Sequence, residues 1–384
     1  MSNVLLVDTN FSSGPIYQFL IQSGHNVTVV GSNPNDALAK SLDEYVQLDY
    51  SDVEKTRKLV ADRQIDYLVP GCNDRSYMVC AEINQGGRFP GIDPLETAEI
   101  INNKKKFRDF AAQHSLPTPQ VLSEQEIGTR WPVIVKPVDA FSGRGVTIIL
   151  EGNSHEIAAA IDVARQASRT KTCIVEDYVE GQLYSHTAFI KNGEIIFDHI
   201  VEEHGTANPF VVDTSRVIYD FPATILKCIR SDITLLANKL NLQDGLVHTQ
   251  FVKGVDQYWL IEVTRRCPGD LYSQLIELST GLNYAENYAR PFVGLPFRFI
   301  ENNQKRWVMR HTLTQPTECI FGSLSFAMPI KIIKWIPTSL TGDRLRASPY
   351  GRISVLFAEM SSEKDFAQNF SATLKRELYS VAPQ

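Results

Sequence analysis

Short apolar runs alternate with polar stretches of helical length over the first 74 residues, and this alternation limits the possible folds more than any other feature. Val4-Leu-Leu-Val7 is typical of a buried strand, and it ends at Asp8. Similar strands are predicted at 27–30, 45–48 and 67–69, with helices at about 15–23 and 52–63. Repeated βα units place their strands in parallel. The chain is therefore predicted to be α/β and to begin with a doubly wound parallel sheet.

Polar side chains follow the predicted strands, at the edge where ligands of open parallel sheets bind. A dinucleotide fold would need G-x-G-x-x-G after the first strand, whereas residues 8–14 read Asp-Thr-Asn-Phe-Ser-Ser-Gly. NAD binding is therefore poorly supported. Asn73 and Asp74 end another strand and are candidates for substrate contacts, with Asp74 suited to an amine. A plain loop cap explains these two residues equally well.

Composition excludes several other classes of protein. The 384 residues are 43% hydrophobic and 21% charged, which is enough for two or three globular domains. The net charge is −6 and no long lysine–arginine run occurs, so nucleic acid is not an expected partner. Six cysteines without C-x-x-C spacing favour reduced thiols in the cytoplasm over structural zinc. We expect neither a signal peptide nor a membrane partner, since no apolar run is long enough.

After residue 94 the pattern changes to helices and hairpins. Asn192-Gly193 between two apolar runs is a strong hairpin signal. Helices are predicted at 95–114, 154–168, 223–240 and 363–379, and strands at 132–136, 146–150, 172–175, 185–190, 194–201, 246–252 and 257–263.

The segment 132–150 combines features that suit a phosphate. Lys136 ends an apolar strand, and the small-residue turn Ser142-Gly143-Arg144-Gly145 leads into a second apolar strand. Glycine lets backbone N–H groups approach an anion, and lysine adds a point charge. The spacing is not that of the G-x-x-x-x-G-K-[ST] phosphate loop, so a different nucleotide fold is required. A simple hairpin turn explains the glycines about as well.

Two further segments, on either side of this hairpin, could contact a nucleotide. Lys104 precedes the hairpin, and Glu176-Asp177-Tyr178-Val179 follows it after a buried strand. An extended segment of this kind can offer one N–H and one C=O to an adenine edge, and Glu176 can accept from the exocyclic amine. The alternatives are a solvated helix face for residues 104–106 and a strand that runs into a turn for residues 176–179.

The last polar group lies on a predicted hairpin near residues 246–263. Glu262 and Thr264 share one face of a strand, and Gln250 can oppose them from the neighbouring strand. Oxygens in this arrangement suit Mg²⁺, which also binds substrate phosphates. Arg266 can join the same face and reach a phosphate with two hydrogen bonds. The alternative for Glu262 is a solvated side chain on an ordinary hairpin.

Four segments of the chain are Asn103-Lys104, 133–145, 175–181 and 248–269. Together and in this order they resemble the motifs of the ATP-grasp superfamily. That superfamily includes biotin carboxylase, D-alanine–D-alanine ligase, carbamoyl-phosphate synthase and L-amino-acid ligases. The resemblance covers about residues 95–300 and implies a two-lobed ATP-grasp domain there, with a lid subdomain at about 130–182. It also implies a Rossmann-like pre-ATP-grasp domain at 1–94 and a C-terminal part at 301–384 that completes the ATP-grasp region.

The resemblance implies ATP and Mg²⁺ as cofactors, with Mn²⁺ as the alternative ion. The residues that would bind the nucleotide are Lys104, Lys136, Ser142, Gly143, Arg144, Gly145, Glu176, Asp177, Tyr178, Val179 and Gln182. Those that would hold the metal are Glu262, Gln250 and Thr264. Arg266 and Lys136 would be catalytic, with Arg266 stabilising the transferring phosphoryl group.

Three positions depart from the family pattern. The family usually has glutamate where Gln250 stands, asparagine where Thr264 stands, and an acidic residue near Leu183. Gln250 can still offer an oxygen to Mg²⁺ but supplies no charge, and Asp270 is a candidate to help. Arg310 is read most simply as a surface-facing residue, and His248 and His311 as structural. The full set of candidates for substrate contacts is Asn73, Asp74, Arg265, Asp270 and Arg310.

The implied reaction is that of a ligase. A substrate carboxylate attacks the γ-phosphorus of ATP to give an acyl phosphate and ADP, and an amine then displaces phosphate to form an amide. The partners are thus small-molecule carboxylates and amines, and a homodimer is one assembly that the resemblance allows. The alternatives are a bicarbonate-using carboxylase and a weak or inactive nucleotide-binding regulatory protein.

Overall fold

The first sheet of the molecule is the parallel sheet that the sequence predicts. The computed structural model describes residues 1–140, 143–152, 154–300 and 305–384. The first strands are β1 (Asn3–Val7), β2 (Asn26–Gly31), β3 (Val46–Gln47) and β4 (Tyr67–Pro70), and the first helices are α1 (Gly14–Gln22), α2 (Ala37–Ser41), α3 (Val53–Asp62) and α4 (Asp74–Ile83). The strand order is β3-β2-β1-β4, and every pair is parallel.

Helix α4 begins after three residues that follow β4, and the sequence does not predict it, because residues 70–74 read as a loop. The Asn73 side chain caps the helix by accepting a hydrogen bond from the Ser76 N–H. The amide of Asn73 also donates to the hydroxyl of Tyr50 at 3.1 Å. Asn73 is therefore a helix cap, and its neighbour Asp74 is held at the carboxyl edge of the sheet.

The second sheet is a small antiparallel one, in the order β6-β5-β7. The elements that lead to it and form it are α5 (Leu95–Asn102), α6 (Lys104–Gln113), β5 (Val133–Pro137), β6 (Thr147–Ile149), α7 (Ser154–Ala167) and β7 (Cys173–Asp177). Gly143 and Gly145 have positive φ angles of 66° and 69°, which favour glycine. A Cβ on Gly143 would lie 2.5 Å from the Cβ of Phe210, so this turn meets the opposite lobe. The predicted hairpin is confirmed, while Ser142 lies outside the described residues.

The third sheet is large and antiparallel. Its strands are β8 (Gln182–Lys191), β9 (Glu194–His204), β10 (Thr214–Ile218), β11 (Gly245–Lys253), β12 (Tyr258–Thr264) and β13 (Trp307–Thr314), together with β15 (Lys331–Pro337) and β17 (Arg352–Met360). The helices beside them are α8 (Ala223–Lys239), α9 (Tyr272–Thr280) and α10 (Tyr284–Ala289). The remaining elements are β14 (Cys319–Phe326), β16 (Arg344–Leu345), α11 (Glu363–Leu374) and β18 (Tyr379–Pro383).

The strand order of the large sheet is β12-β11-β8-β9-β10-β13-β17-β15, so strands that follow residue 304 complete it. The fold prediction is thereby confirmed, while the domain boundaries at 94/95 and 300/301 stay predictions. The last predicted helix is wrong beyond Leu374. Arg376 adopts a left-handed conformation with φ of 60°, which a right-handed helix cannot continue. The residues after it form β18, which pairs with β14 in a fourth sheet.

A buried ion pair joins the first 94 residues to the large sheet. Arg265 Nε donates to Asp93 Oδ2 at 2.7 Å, and the Tyr77 hydroxyl donates to the same oxygen at 2.6 Å. The other two guanidinium nitrogens of Arg265 donate to the carbonyl oxygens of Leu246 and Gln243. With every nitrogen bonded within the protein and the side chain buried, Arg265 links these two parts of the molecule, and its contact with a substrate stays a prediction.

We expect Asp93→Asn to lower the free energy of unfolding by about 3–5 kcal/mol, because it leaves the Arg265 charge buried and unpaired. Urea unfolding followed by circular dichroism measures this loss. Asp109→Asn is the matched control, since it breaks the Lys105–Asp109 pair, whose side chains are 61% and 63% exposed, and should change stability little. Equal effects of the two substitutions would contradict the structural role of Asp93.

Candidate functional site

A row of polar side chains crosses one face of the large sheet. Gln250 on β11 pairs in register with Glu262 on β12 and with Ser185 on β8, so the predicted opposition of Gln250 and Glu262 is confirmed. Glu203 on β9 joins the row, because Gln250 Nε2 donates to its Oε2 at 2.7 Å and Ser185 Oγ donates to its Oε1 at 2.9 Å. Glu203 is not among the residues predicted from the sequence. The only available signal was an acidic residue just beyond the predicted end of an apolar strand at 201.

Burial has a marked effect on the acidity of Glu203. Burial raises the pKa of the Glu203 carboxyl to about 7, and the nearby charge of Asp270 adds to the rise. Hydrogen bonds from Gln250 and Ser185, and the charge of Arg310, oppose it. The row therefore contains a carboxyl group whose ionised form would be stabilised by a cation.

Arg310 continues the row on β13, where Ser215 of β10 lies between it and Glu203 in the register. Only 1% of Arg310 is exposed. The reading of Arg310 as surface-facing is therefore wrong. Its Nε donates to the carbonyl of Asp270 at 2.7 Å, and its Nη2 lies 3.2 Å from Asp270 Oδ2. The buried Nη1 has no hydrogen-bond partner among the residues described.

Beyond the end of β12, Arg266 and Asp74 form an ion pair between the large sheet and helix α4. Arg266 Nε lies 2.8 Å from Asp74 Oδ1, and Nη2 lies 3.2 Å from Oδ2. Burial alone would raise the pKa of Asp74, but the Arg266 guanidinium holds it below the usual range. Asp74 is thus the partner of Arg266, and it is not free for an amine in this arrangement.

Thr264 supports this ion pair. Its hydroxyl donates to Asp74 Oδ1 at 3.0 Å and accepts the Arg266 N–H at 3.3 Å. The proton of the hydroxyl is therefore directed at a carboxylate, so Thr264 holds Asp74, and its role as a metal ligand stays a prediction. His248 pairs in register with Thr264, and burial lowers its pKa to about 3, which keeps the ring neutral.

The second charged cluster lies between the small sheet and helix α6. Lys136 on β5 binds Glu176 Oε1 with its ammonium group, and Arg108 Nε on α6 donates to Glu176 Oε2 at 2.9 Å. Glu176 is fully buried. Arg108 is not among the residues predicted from the sequence, where it is one more residue of a helix. Burial alone would raise the pKa of Glu176, but Lys136 and Arg108 lower it overall.

The cluster carries two cations and one carboxylate, so one positive charge is left uncompensated. Burial lowers the pKa of Lys136, although Glu176 partly opposes this shift. The surplus charge would be stabilised by an anion near Lys136. Because both oxygens of Glu176 already accept from these cations, the contact of Glu176 with adenine stays a prediction.

Lys104 brings the two clusters together. It is the first residue of α6, where the Asn103 side chain caps the helix by accepting from two backbone N–H groups. Lys104 Nζ lies 3.5 Å from Glu262 Oε1 and donates to the Ala140 carbonyl at 3.1 Å. It is therefore not part of a solvated helix face, whereas its neighbours Lys105 and Lys106 are half or more exposed.

The predicted adenine segment is partly occupied by bonds within the protein. The Asp177 N–H donates to the Gln120 carbonyl at 2.9 Å, and the Tyr178 N–H donates to the Pro132 carbonyl at 3.1 Å. Gln182 Nε2 donates to the carbonyls of Leu183 and Glu203, and its role in nucleotide binding stays a prediction. The roles of Val179, Gly143, Arg144 and Gly145 in nucleotide binding also stay predictions.

The donor set fits a metal that is shared with a substrate. The described parts of the chain contain no group of three or more His, Cys, Asp or Glu side chains that could hold a metal. Glu262 and Gln250 together offer one carboxylate and one amide. Mg²⁺ commonly binds one or two protein groups and substrate phosphates, so these residues fit an ion that arrives with a nucleotide.

In the ranges that the structure covers, no helix has the length and apolar character to cross a membrane.

Comparison with known proteins identifies the domain. Residues 129–274 match the ATP-grasp domain family, so the chain contains an ATP-grasp domain and the resemblance predicted from the sequence is confirmed. The chain is 24% identical over 285 residues to 3-methyl-D-ornithine–L-lysine ligase of Methanosarcina barkeri, covering 71% of this chain and 68% of that protein. It is 38% identical over 66 residues to cyanophycin synthetase of Synechocystis sp., covering 17% of this chain and only 7% of that protein.

Solved structures share the whole fold. L-amino acid ligase from Bacillus licheniformis superposes with a TM-score of 0.79 at 16% identity, over 100% of this chain and 99% of that one. The biotin carboxylase domain of Hydrogenobacter thermophilus 2-oxoglutarate carboxylase, in complex with MgADP and bicarbonate, has a TM-score of 0.76 at 13% identity, over 100% and 91%. These likenesses show the fold. The sequence match of residues 129–274 to the ATP-grasp domain agrees with this fold.

We expect Glu176→Gln to be far more destabilising than Lys136→Met. Removing the carboxylate leaves two buried cations without a counter-charge, which should lower the free energy of unfolding by about 3–5 kcal/mol. Removing Lys136 leaves Arg108 and Glu176 as a balanced pair, so the loss should be clearly smaller. Urea unfolding of both variants makes the comparison, and a larger loss for Lys136→Met would contradict the charge assignment.

Proposed function

We propose that the protein is an ATP- and Mg²⁺-dependent ligase that joins a small-molecule carboxylate to an amine. In the first step a carboxylate oxygen attacks the γ-phosphorus, an acyl phosphate forms and ADP leaves. In the second step the amine nitrogen attacks the acyl carbon, phosphate leaves and the nitrogen loses a proton. The names of the relatives from Methanosarcina barkeri and Bacillus licheniformis, both ligases of amino acids, support this chemistry.

The observation that carries the proposal is the surplus positive charge of the Lys136–Glu176–Arg108 cluster. Two cations share one buried carboxylate, so a polyphosphate beside Lys136 would restore charge balance. Lys104 adds a second ammonium group on the side of Glu262. A nucleotide whose phosphates lie between the two lysines would also approach the two oxygens that suit Mg²⁺, those of Glu262 and Gln250.

The chain's own residues would position the reactants. Mg²⁺, when bound with the nucleotide, supplies neutralisation of the phosphate charge. Arg266, fixed by Asp74, would stabilise the transferring phosphoryl group. Arg310, which keeps a buried and unpaired Nη1, would receive the substrate carboxylate, with Asp270 fixing its orientation. The turn at Gly143 and Gly145 would exclude water that otherwise hydrolyses the acyl phosphate.

The test is a screen for ADP release with amino acids, hydroxy acids and amines in the presence of Mg²⁺. We expect release to require one carboxylate and one amine together. Glu262→Gln and Lys136→Ala should each lower the rate by on the order of 100-fold or more, because each removes a group that stabilises developing or transferred charge. Lys105→Ala, one residue from Lys104 but exposed, is the control and should keep the rate.

Three outcomes would overturn parts of this proposal. Full activity in Glu262→Gln or Lys136→Ala would remove the site assignment. ADP release that depends on bicarbonate and needs no amine would favour a carboxylase, which the fold shared with the biotin carboxylase domain motivates. ATP binding without turnover across the panel would favour a regulatory protein, which the uncharged Gln250 motivates.

A further inference from the structure

We propose that Glu203 is a positioning residue for the metal site, acting through Gln250. In this role it turns the Gln250 amide so that the carbonyl oxygen is left for the cation. Glu203 also supplies the negative charge that Gln250 lacks, from strand β9, which is separated from the Gln250 strand β11 by β8. The inference rests on the proposed function, because it concerns the ion that would accompany the nucleotide.

The Gln250 amide is polar in one direction. A glutamine side chain has an NH₂ end that donates and an oxygen end that accepts. Gln250 Nε2 donates to Glu203 Oε2 at 2.7 Å, so the donor end is committed to Glu203. The oxygen end remains available, on the face where Glu262 pairs with Gln250 in register. Without an acceptor at position 203, the amide could rotate and present its NH₂ group, which a cation does not bind.

The Glu203 carboxylate is itself held in place by hydrogen bonds. Ser185 Oγ donates to Glu203 Oε1 at 2.9 Å, and the Ser185 hydroxyl lies 2.9 Å from the hydroxyl of Tyr272. Each oxygen of the carboxylate thus has a separate partner, and the side chain is only 3% exposed. The chain of hydrogen bonds from Tyr272 to Gln250 therefore fixes the plane of the carboxylate and, through it, the amide.

The buried charge of Glu203 has no cationic hydrogen-bond partner among the residues described. The hydrogen bonds of Glu203 within the described structure come from neutral groups, whereas its neighbour Glu202 points to the other face and pairs with Arg216 at 2.7 Å. Burying a carboxylate with neutral partners is costly, and a nearby divalent cation would offset that cost. Glu203 can therefore serve the metal site although it lies outside the segments that resemble the family motifs.

The test measures Mn²⁺ binding in the presence of ADP by electron paramagnetic resonance, so that it does not depend on turnover. Glu203→Gln should weaken Mn²⁺ binding by about 10–100-fold, as the loss of an outer-shell partner does. The exchanged variant Glu203→Gln/Gln250→Glu restores one carboxylate and one amide with reversed positions, and it should recover most of the affinity. Glu202→Gln, on the same strand but the opposite face, is the matched control and should bind Mn²⁺ as the unaltered protein does.

The outcomes separate this inference from the proposed function. Unchanged Mn²⁺ affinity in Glu203→Gln would overturn the inference and leave the ligase proposal intact. Absence of Mn²⁺ binding in the unaltered protein with ADP would overturn both. If Glu203→Gln fails to fold in a thermal melt, the exchanged variant decides, because it keeps the hydrogen bond and the total charge. A folded exchanged variant that does not bind Mn²⁺ would contradict the role of Glu203.

Discussion

The shared carboxylate of Glu176 organises the candidate nucleotide site. It binds Lys136 from the small sheet and Arg108 from helix α6, inside the protein where water does not screen the charges. Arg108 also donates to the Ile261 carbonyl at 3.0 Å, so the same cluster reaches strand β12 of the large sheet. The position of the two lobes therefore depends on one buried carboxylate. Its two partners leave one positive charge uncompensated, which is the physical basis for expecting a phosphate there.

The large sheet separates structural charges from those of the site by the alternation of its strands. Glu202 and Glu203 are neighbours in sequence, yet one pairs with Arg216 while the other binds Gln250. On strand β9 these residues of identical type acquire different roles because successive side chains point in opposite directions. Arg265 and Arg266 follow the end of β12 and are also separated, since the first is buried against Asp93 and the second pairs with Asp74.

Much of the fold could be predicted from local patterns. Apolar runs and capping residues located most strands and helices within a few residues, and the order of the lysine, glycine and glutamate motifs located the ATP-grasp domain. The missed features are those without a local signal. Helix α4 follows its strand after only three residues, Arg108 resembles any charged helical residue, and Glu203 becomes significant only beside Gln250.

The sequence by itself determined the α/β class, the glycine turn and which residue types could bind a phosphate or Mg²⁺, because these depend on periodicity and side-chain chemistry over short distances. Only the tertiary structure decided which charges meet. Asp74 and Arg266 are 192 residues apart in the chain, and Arg108 and Glu176 are 68 apart, yet each pair forms an ion pair. Such pairings arise from the packing of whole sheets and helices, and no local pattern encodes them.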